Sequence, residues 1–470
     1  MNFLWTKNEL ISATNGSDPS SNFLENEDVI SGVSIDDRTI QKGDLYIAIK
    51  GDKFDGHDFI ESAILKGASG VIVSEEQYAI KWKALLVKDT KVSLKNIAQF
   101  SRNRFSGKVI AITGSSGKTS TKHILATSLQ EYGKTHFTQG NNNNIIGLSL
   151  TLSRLPKEYK FCVLELGMNR SGEIKELSLI SRPDIALITN VSSSHIQNFK
   201  SEKEIANAKS EIFLGLNSNG IALINSDNVW SQYLSKKAEK IISNVNFYGY
   251  SKNSKTIVKK IIDEKDGCTI LQDNDTPWHL KYLNTVQASN AVASIAVVKE
   301  LKLPVEIAKK TISNLKPLPG RGQKIIINFK NNQKSLLIDD SYNANPDSMY
   351  ASLSNLYKTK SKLHDYKTVL IIGDMLELGK KTMVKHLELI PIIKKINPNL
   401  LITVGFFTEL MSKKLKIKSY SYPDVDSLIL KIKDLIKPNQ LILIKGSNGS
   451  KVWKLVKILQ NLNQEKTNAA

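Results

Sequence analysis

VIAITGSSGKTSTK, residues 109–122, decides the fold of this chain. Val109 to Ile112 form an unbroken apolar run, the pattern of a buried strand. The chain then turns through Gly114, Ser115, Ser116 and Gly117, and Lys118, Thr119 and Ser120 open an amphipathic helix. Glycines let such a turn curl so that backbone N–H groups point inward, and the helix N-terminus adds positive potential. Lys118 is placed to reach terminal phosphates, and the Thr119 hydroxyl to ligate Mg²⁺. Ile112 stands where the usual phosphate loop has its first glycine. Strand, glycine turn, Lys-Thr and helix nevertheless agree with one another. The stretch therefore predicts a nucleoside triphosphate site, against the alternative of a plain Ser/Gly-rich turn.

A length of 470 residues predicts about three domains and leaves ample chain for large cores. Apolar content of 41% and charged content of 23% are those of an ordinary globular chain. No apolar run is long enough to span a bilayer, and MNFLWTKNELI lacks the basic start and small-residue cleavage site of a signal peptide. Two cysteines, Cys162 and Cys268, exclude a disulfide framework, and Cys162 inside FCVLEL reads as a buried structural thiol. The expectation is a cytoplasmic protein with no integral membrane segment. The net charge of +20 invites a nucleic-acid reading. Its source is mostly Lys scattered among Asn and Ile, with no basic run interleaved with aromatics for stacking. No nucleic-acid partner is expected, and an anionic small substrate suits the charge. Only seven arginines occur. Where Lys serves elsewhere, Arg marks candidate bidentate anion contacts, here Arg38, Arg170, Arg182 and Arg321. Arg102, Arg104 and Arg154 read as ordinary surface arginines.

The fold class expected is α/β in three domains. Residues 1–107 carry short strand signals at DLYIAI and VIVS and form a small N-terminal α/β unit. Residues 108–314 alternate apolar strands (VIAIT, FCVLEL, IALITN, GIALIN) with helices, which argues for a doubly wound parallel sheet around the phosphate loop. LKPLPGRG at 315–322 is a Pro/Gly-rich linker, and residues 315–470 repeat the rhythm in a Rossmann-like unit through SLLIDD, TVLIIGD, LLITVG and LILIKG. These strands end in Gly or Asp at the carboxyl edge, where open α/β sheets place ligands.

Other residues cluster at such edges. Glu165 ends FCVLELGMN and suits a Mg²⁺ ligand, which needs hard oxygen donors, or a solvated edge carboxylate. His195, in ITNVSSSHIQNF, suits metal or phosphate contact as well as an ordinary polar role. Lys209 in IANAKSEIF reads by itself as a surface lysine. TQGNNNNIIG at 138–147 packs four Asn between glycines, a solvated loop or a polar contact surface. Asp340 in DDSYNANP is placed for ribose hydroxyls or for an Asx-type turn before Pro346.

Taken together, these motifs resemble the Mur ligases of peptidoglycan synthesis. The resemblance runs from Ser34 to Ser447 and rests on the order and spacing of SIDDRTIQKGDLYIAIKGDKFDGHDFI, ITGSSGKTSTK, TQGNNNNIIGLSLTL, ELGMNRSGEI, ITNVSSSHIQNF, IANAKSEIF, LPGR, DDSYNANPDSM and GDMLELG. TQGNNNNIIG, DDSYNANP and GDMLELG point to the branch that adds a dipeptide. The resemblance implies a UDP-binding N-terminal domain, a central ATPase and a C-terminal domain that closes on the nucleotide. It implies ATP and Mg²⁺ as cofactors. It also implies small-molecule substrates, UDP-N-acetylmuramoyl-tripeptide and D-alanyl-D-alanine, joined through an acyl phosphate; the chain is expected to be a monomer.

Residue by residue, the resemblance makes Lys118 the phosphate-binding lysine within a nucleotide-binding loop of Gly114, Ser115, Ser116, Gly117, Thr119 and Ser120. Thr119, Glu165 and His195 become metal ligands. Lys209 becomes the lysine that the family carbamylates to make a carboxylate. Asn290 falls to adenine, Arg321 to the nucleotide and Asp340 to ribose. Arg38, Asn141 and Asn144 are assigned to substrate. The chain departs from the family pattern at Asp37 (usually Ser), Ser149 (usually Pro), Val286-Gln287 (usually His-Asn) and Asn448 (usually Arg). Competing readings are a sister ligase adding one amino acid, a basic P-loop ATPase on nucleic acid, and an inactive nucleotide-binding scaffold.

Overall fold

The computed structural model describes residues 3–24, 29–193, 196–264, 266–272, 276–329 and 332–461. Three sheets follow one another along the chain. The first has four parallel strands, Gly32–Ser34, Asp44–Ile47, Gly70–Val73 and Leu85–Leu86, paired in sequence order. The second has nine strands. Its parallel part runs Thr256–Glu264, Val245–Gly249, Ile221–Asn225, Ile185–Ile188, Lys108–Thr113, Phe161–Glu165 and Thr135–Phe137. Gly267–Gln272 and Trp278–Leu280 extend it antiparallel. The third has six strands, opening with the antiparallel Gln323–Asn328 and continuing parallel through Lys334–Asp339, Gln440–Lys445, Lys367–Gly373, Leu400–Val404 and Ser419–Tyr422. The antiparallel strands were not foreseen. Burial largely alternates along them, leaving one face less covered, which weakens the apolar signal.

The strand Lys108–Thr113 sits inside the central sheet, between Ile185–Ile188 and Phe161–Glu165. Val109, Ile110, Ala111 and Ile112 have no exposed surface, because helices cover both faces. The helix Lys118–Leu129 packs on one face with Thr285–Glu300. The latter buries Gln287, Ala288 and the run Ala291 to Val298, so it is enclosed nearly all round. The carboxyl ends of Lys108–Thr113 and Phe161–Glu165 therefore open at one edge, beside the helix N-terminus at Lys118.

Three arginines read as surface residues are instead staples, Arg102 and Arg154 between the first two units and Arg104 within the first. Arg102 is 8% exposed and donates to the carbonyls of Ser181 (2.7 Å), Arg182 (2.8 Å) and Phe105 (3.2 Å). Arg104 pairs with Glu9 at 3.0 Å, donates to Leu4 O at 2.7 Å and lies 3.9 Å over the Trp5 ring. Arg154 donates to Val33 O at 2.5 Å. The contacts of Arg102 and Arg154 join the first sheet's unit to the central one, and Leu150 of the central unit is buried in the N-terminal core. A guanidinium suits this task because its donors fan out to several carbonyls while burial of its stem adds apolar contact.

Arg102→Met keeps the stem and removes the donors, stranding buried carbonyls. It is expected to cost about 2–3 kcal/mol and lower the thermal midpoint followed by circular dichroism. Arg170→Met, at an exposed position, is the control. Equal midpoints for the two variants would refute the staple role.

Candidate functional site

The phosphate loop needs its glycines for different reasons. Gly117 has φ 81°, a left-handed backbone that starts the helix without a side-chain cap. At Gly114 a Cβ would lie 1.9 Å from Thr189 Oγ1. The neighbouring strand end holds the loop open. Asn190 O accepts from Ser115 N–H (3.0 Å), Asn190 Oδ1 accepts from Ser116 N–H (2.8 Å), and Thr189 Oγ1 donates to Ser116 O (2.7 Å). The first-turn N–H groups of the helix at Lys118 have no intrahelical partner, and no acidic residue stands in that turn. Lys118 folds back to donate to Gly114 O at 2.6 Å. Burial lowers its pKa, Glu165 opposes that shift, and Arg321 adds to it.

Next to the loop, three side chains converge on Glu165, which is 2% exposed. Its Oε1 accepts from Thr119 Oγ1 at 3.1 Å and from Asn143 Nδ2 at 2.9 Å. Its Oε2 is buried and accepts no hydrogen bond, with Lys122 Nζ 3.3 Å away. Burial alone would raise the Glu165 pKa. The charges of Lys118 and Lys122, with the two hydrogen bonds, outweigh that and hold it below the usual carboxylate value. A buried anionic oxygen without a hydrogen bond, beside a threonine hydroxyl, fits a hard divalent cation.

Lys209 ends the helix Glu202–Ser210, which Ser201 caps by accepting from Glu204 N–H. The reading of this lysine as a surface residue is corrected: it is 2% exposed. Burial pushes its pKa well down, with the nearby charge of Lys118 adding to the effect. That environment favours a neutral, nucleophilic amine.

The C-terminal unit supplies the opposite wall. Arg321, in the linker, donates from Nη2 to Thr119 Oγ1 at 3.0 Å and stacks 4.2 Å from the Tyr342 ring centre. Asp340 pairs with the buried Lys445 at 2.9 Å, and Lys445 also donates to Asn343 O at 3.1 Å. The walls enclose a cleft of about 910 Å³ lined by residues of the phosphate loop, Asn290, Arg321 and Asp340 among others.

The structure thus gathers Lys118, Thr119, Ser120, Glu165, Asn290, Arg321 and Asp340 around one cleft. Asn290 accepts from Thr121 Oγ1 at 3.2 Å, and its amide lies against Gly117. His195 lies outside the described residues. Arg38 lies in the 3-10 turn Asp37–Thr39 of the N-terminal unit, forked onto Asp36 with a shortest contact of 2.7 Å and 81% exposed. The extra carboxylate of Asp37 turns to Ser62 (2.8 Å) and Lys66 (2.7 Å). Within the asparagine run, Asn144 caps the helix Ile145–Ser153 and lines the cleft, and Asn141 is exposed. Asn143, which sequence reasoning passed over, holds Glu165. Asn448 donates to Tyr342 O at 3.1 Å, tying the last loop to the Arg321 platform. Asp55, His57 and Glu75 also cluster, with ligand atoms within 4.8 Å of one another. His57 Nδ1 is 2.6 Å from Asp55 and Nε2 accepts from Ser74 N–H, so both ring nitrogens are engaged in holding the N-terminal unit.

Three family profiles match in order: "Mur ligase family, catalytic domain" at residues 29–105, "Mur ligase middle domain" at 112–298 and "Mur ligase, glutamate ligase domain" at 320–448. The chain is 38% identical to the UDP-N-acetylmuramoyl-tripeptide–D-alanyl-D-alanine ligase of Rickettsia prowazekii (strain Madrid E), covering 91% of this chain and 95% of that one. Among solved structures it is similar to MurF from Acinetobacter baumannii, with 26% identity, a TM-score of 0.81 and coverage of 97% of this chain and 99% of that one. It is also similar to MurF ligase from Thermotoga maritima in complex with ADP, with 27% identity, a TM-score of 0.75 and coverage of 92% and 98%. With its three domains matched in order and a relative of that identity over nearly its whole length, the chain belongs to the Mur ligase family.

Proposed function

We propose that this chain is an ATP-dependent ligase that joins D-alanyl-D-alanine to UDP-N-acetylmuramoyl-tripeptide in the cytoplasm, as a monomer. Residues 1–107 take the UDP-linked substrate, residues 108–314 the ATP, and residues 315–470 complete the site as the ligase domain. One observation carries this reading: Thr119 Oγ1 donates to Glu165 of the central domain and accepts from Arg321 of the C-terminal one. A triphosphate held there meets both domains at once. No helix among the described residues is long and apolar enough to cross a membrane.

A carboxylate oxygen is a poor leaving group and phosphate a good one. The tripeptide carboxylate therefore takes the terminal phosphoryl group of ATP, giving an acyl phosphate and ADP. The dipeptide amine attacks its carbonyl, a tetrahedral intermediate collapses, phosphate leaves and the amide forms. The chain's share is positioning and charge neutralisation. Lys118 and the first-turn N–H groups hold the phosphates, and Arg321 holds them from the opposite wall. Asn290 and Asp340 orient adenine and ribose, and Arg38, Asn141 and Asn144 guide the peptide substrates. Thr119, Glu165 and His195 are assigned to Mg²⁺, whose chemistry is to neutralise charge on the phosphates. Lys209, as a neutral amine, adds CO₂ and releases a proton to become a carbamate, a further anionic oxygen ligand.

Lys118→Ala is expected to abolish ATP-dependent phosphate release with little change in the melting curve. Near-normal turnover in a folded variant would overturn the loop's role. Lys209→Ala should lose activity and regain part of it with added acetate, which replaces the missing carboxylate. A fully active Lys209→Ala without acetate removes the carbamate. D-alanyl-D-alanine should drive phosphate release only with both ATP and UDP-muramyl-tripeptide present, and single D-alanine or diaminopimelate far less, since a second residue helps orient the amine. Equal turnover with a single amino acid, and none with the dipeptide, would leave a ligase of a different branch.

A further inference from the structure

Lys122 lies four residues beyond Lys118, one turn along the same face of the phosphate-loop helix. It is 3% exposed. Its ammonium stands 3.3 Å from Glu165 Oε2 and donates to Gly140 O at 3.1 Å. It thus spans three segments: the loop helix, the turn before the asparagine run, and the strand end at Glu165. The other Glu165 oxygen is already occupied by Thr119 and Asn143, so the oxygen facing Lys122 is the one left without a hydrogen bond.

The charges acting at this point are unequal. Lys118 and Lys122 both feel Glu165 as their anionic neighbour and Arg321 as a third cation. Lys122 stands at the carboxylate directly and Arg321 one hydroxyl away, through Thr119, so cationic charge outweighs the single carboxylate there. A bare dication approaching Glu165 meets net repulsion, and the ammonium of Lys122 stands at the free oxygen. A polyphosphate entering the loop reverses the local sign, and its own oxygens then share the metal.

We propose that Lys122 bars a free divalent cation from Glu165, so that metal is taken up only together with nucleotide. The proposal rests on the reading of Glu165 as a metal ligand. Lys122 is a positioning residue: it acts through Glu165 and touches neither substrate nor reacting atoms.

The test is Mn²⁺ binding to nucleotide-free protein, read from the electron paramagnetic resonance of the free ion. Lys122→Met should bind Mn²⁺ about tenfold more tightly than the wild type or better, because the blocking charge is gone. Lys122→Arg should return to the wild-type value, which a merely structural role of the lysine would not require. Equal Mn²⁺ affinity in Lys122→Met and wild type, or an arginine variant that behaves like the methionine one, overturns the proposal. Adding Glu165→Gln to Lys122→Met should erase the gain. A gain that persists shows that the metal goes elsewhere, and it is then the reading of Glu165 that fails. Because removing one partner of a buried pair can unfold a protein, the wild type supplies a second measurement. ADP affinity by calorimetry should rise about tenfold or more between metal-free and Mn²⁺-saturated conditions, as reciprocal coupling requires. No coupling, together with tight Mn²⁺ binding before nucleotide, overturns the proposal without any variant.

Discussion

The hydroxyl of Thr119 is the atom on which the site depends. Its one O–H donates a hydrogen bond to Glu165 at 3.1 Å, and its oxygen accepts one from Arg321 at 3.0 Å. Through that oxygen the phosphate loop, the neighbouring strand end and the C-terminal unit are in register. Much of the rest of the site supports one of its three arms. Asn143 and Lys122 fix Glu165. The Tyr342 ring carries the Arg321 guanidinium, and Gln287, from the enclosed helix, donates to Arg321 O. Thr189 and Asn190 hold the loop that presents Thr119.

The two domain junctions are built differently. The N-terminal unit meets the central one through arginines bonded to backbone carbonyls and through Leu150 in a shared apolar core. Such contacts are costly to break, because each leaves a buried carbonyl unpaired. Across the cleft, the Arg321 guanidinium of the C-terminal unit reaches the phosphate loop at Thr119, and the same two units are also joined by Gln287 to Arg321 O, by Lys362 to Asp263 and Glu264 O, and by buried apolar side chains of one cluster. The Arg321 guanidinium and the Thr119 hydroxyl are groups that a phosphate can compete for.

Lysine chemistry explains how a chain so rich in one cation stays specific. Most lysines lie in solvent, where they add charge and little structure. A few are enclosed, and each enclosed one has a distinct environment. Lys122 faces Glu165, Lys445 faces Asp340, and Lys209 has no ion pair among the described residues and is driven toward its neutral form. Burial thus separates three functions that composition alone makes indistinguishable.

The sequence by itself determined the α/β class, the phosphate loop and the strand-end acid Glu165. Those features are local: a strand, a glycine turn and a helix start lie within a dozen or so residues and obey backbone rules that need no distant partner. The ordered motifs carried the family and the site residues it implies. Tertiary structure alone decided the rest. Arg102 became a staple because carbonyls some 80 residues away converge on it. Asn143, rather than its neighbours in a run of identical residues, reached Glu165 because the turn's backbone aims only that amide inward. Lys209 passed from apparent surface residue to buried amine because other elements pack over its helix end. Burial and charge pairing are sums over neighbours that are distant in the chain, so no reading of adjacent residues contains them.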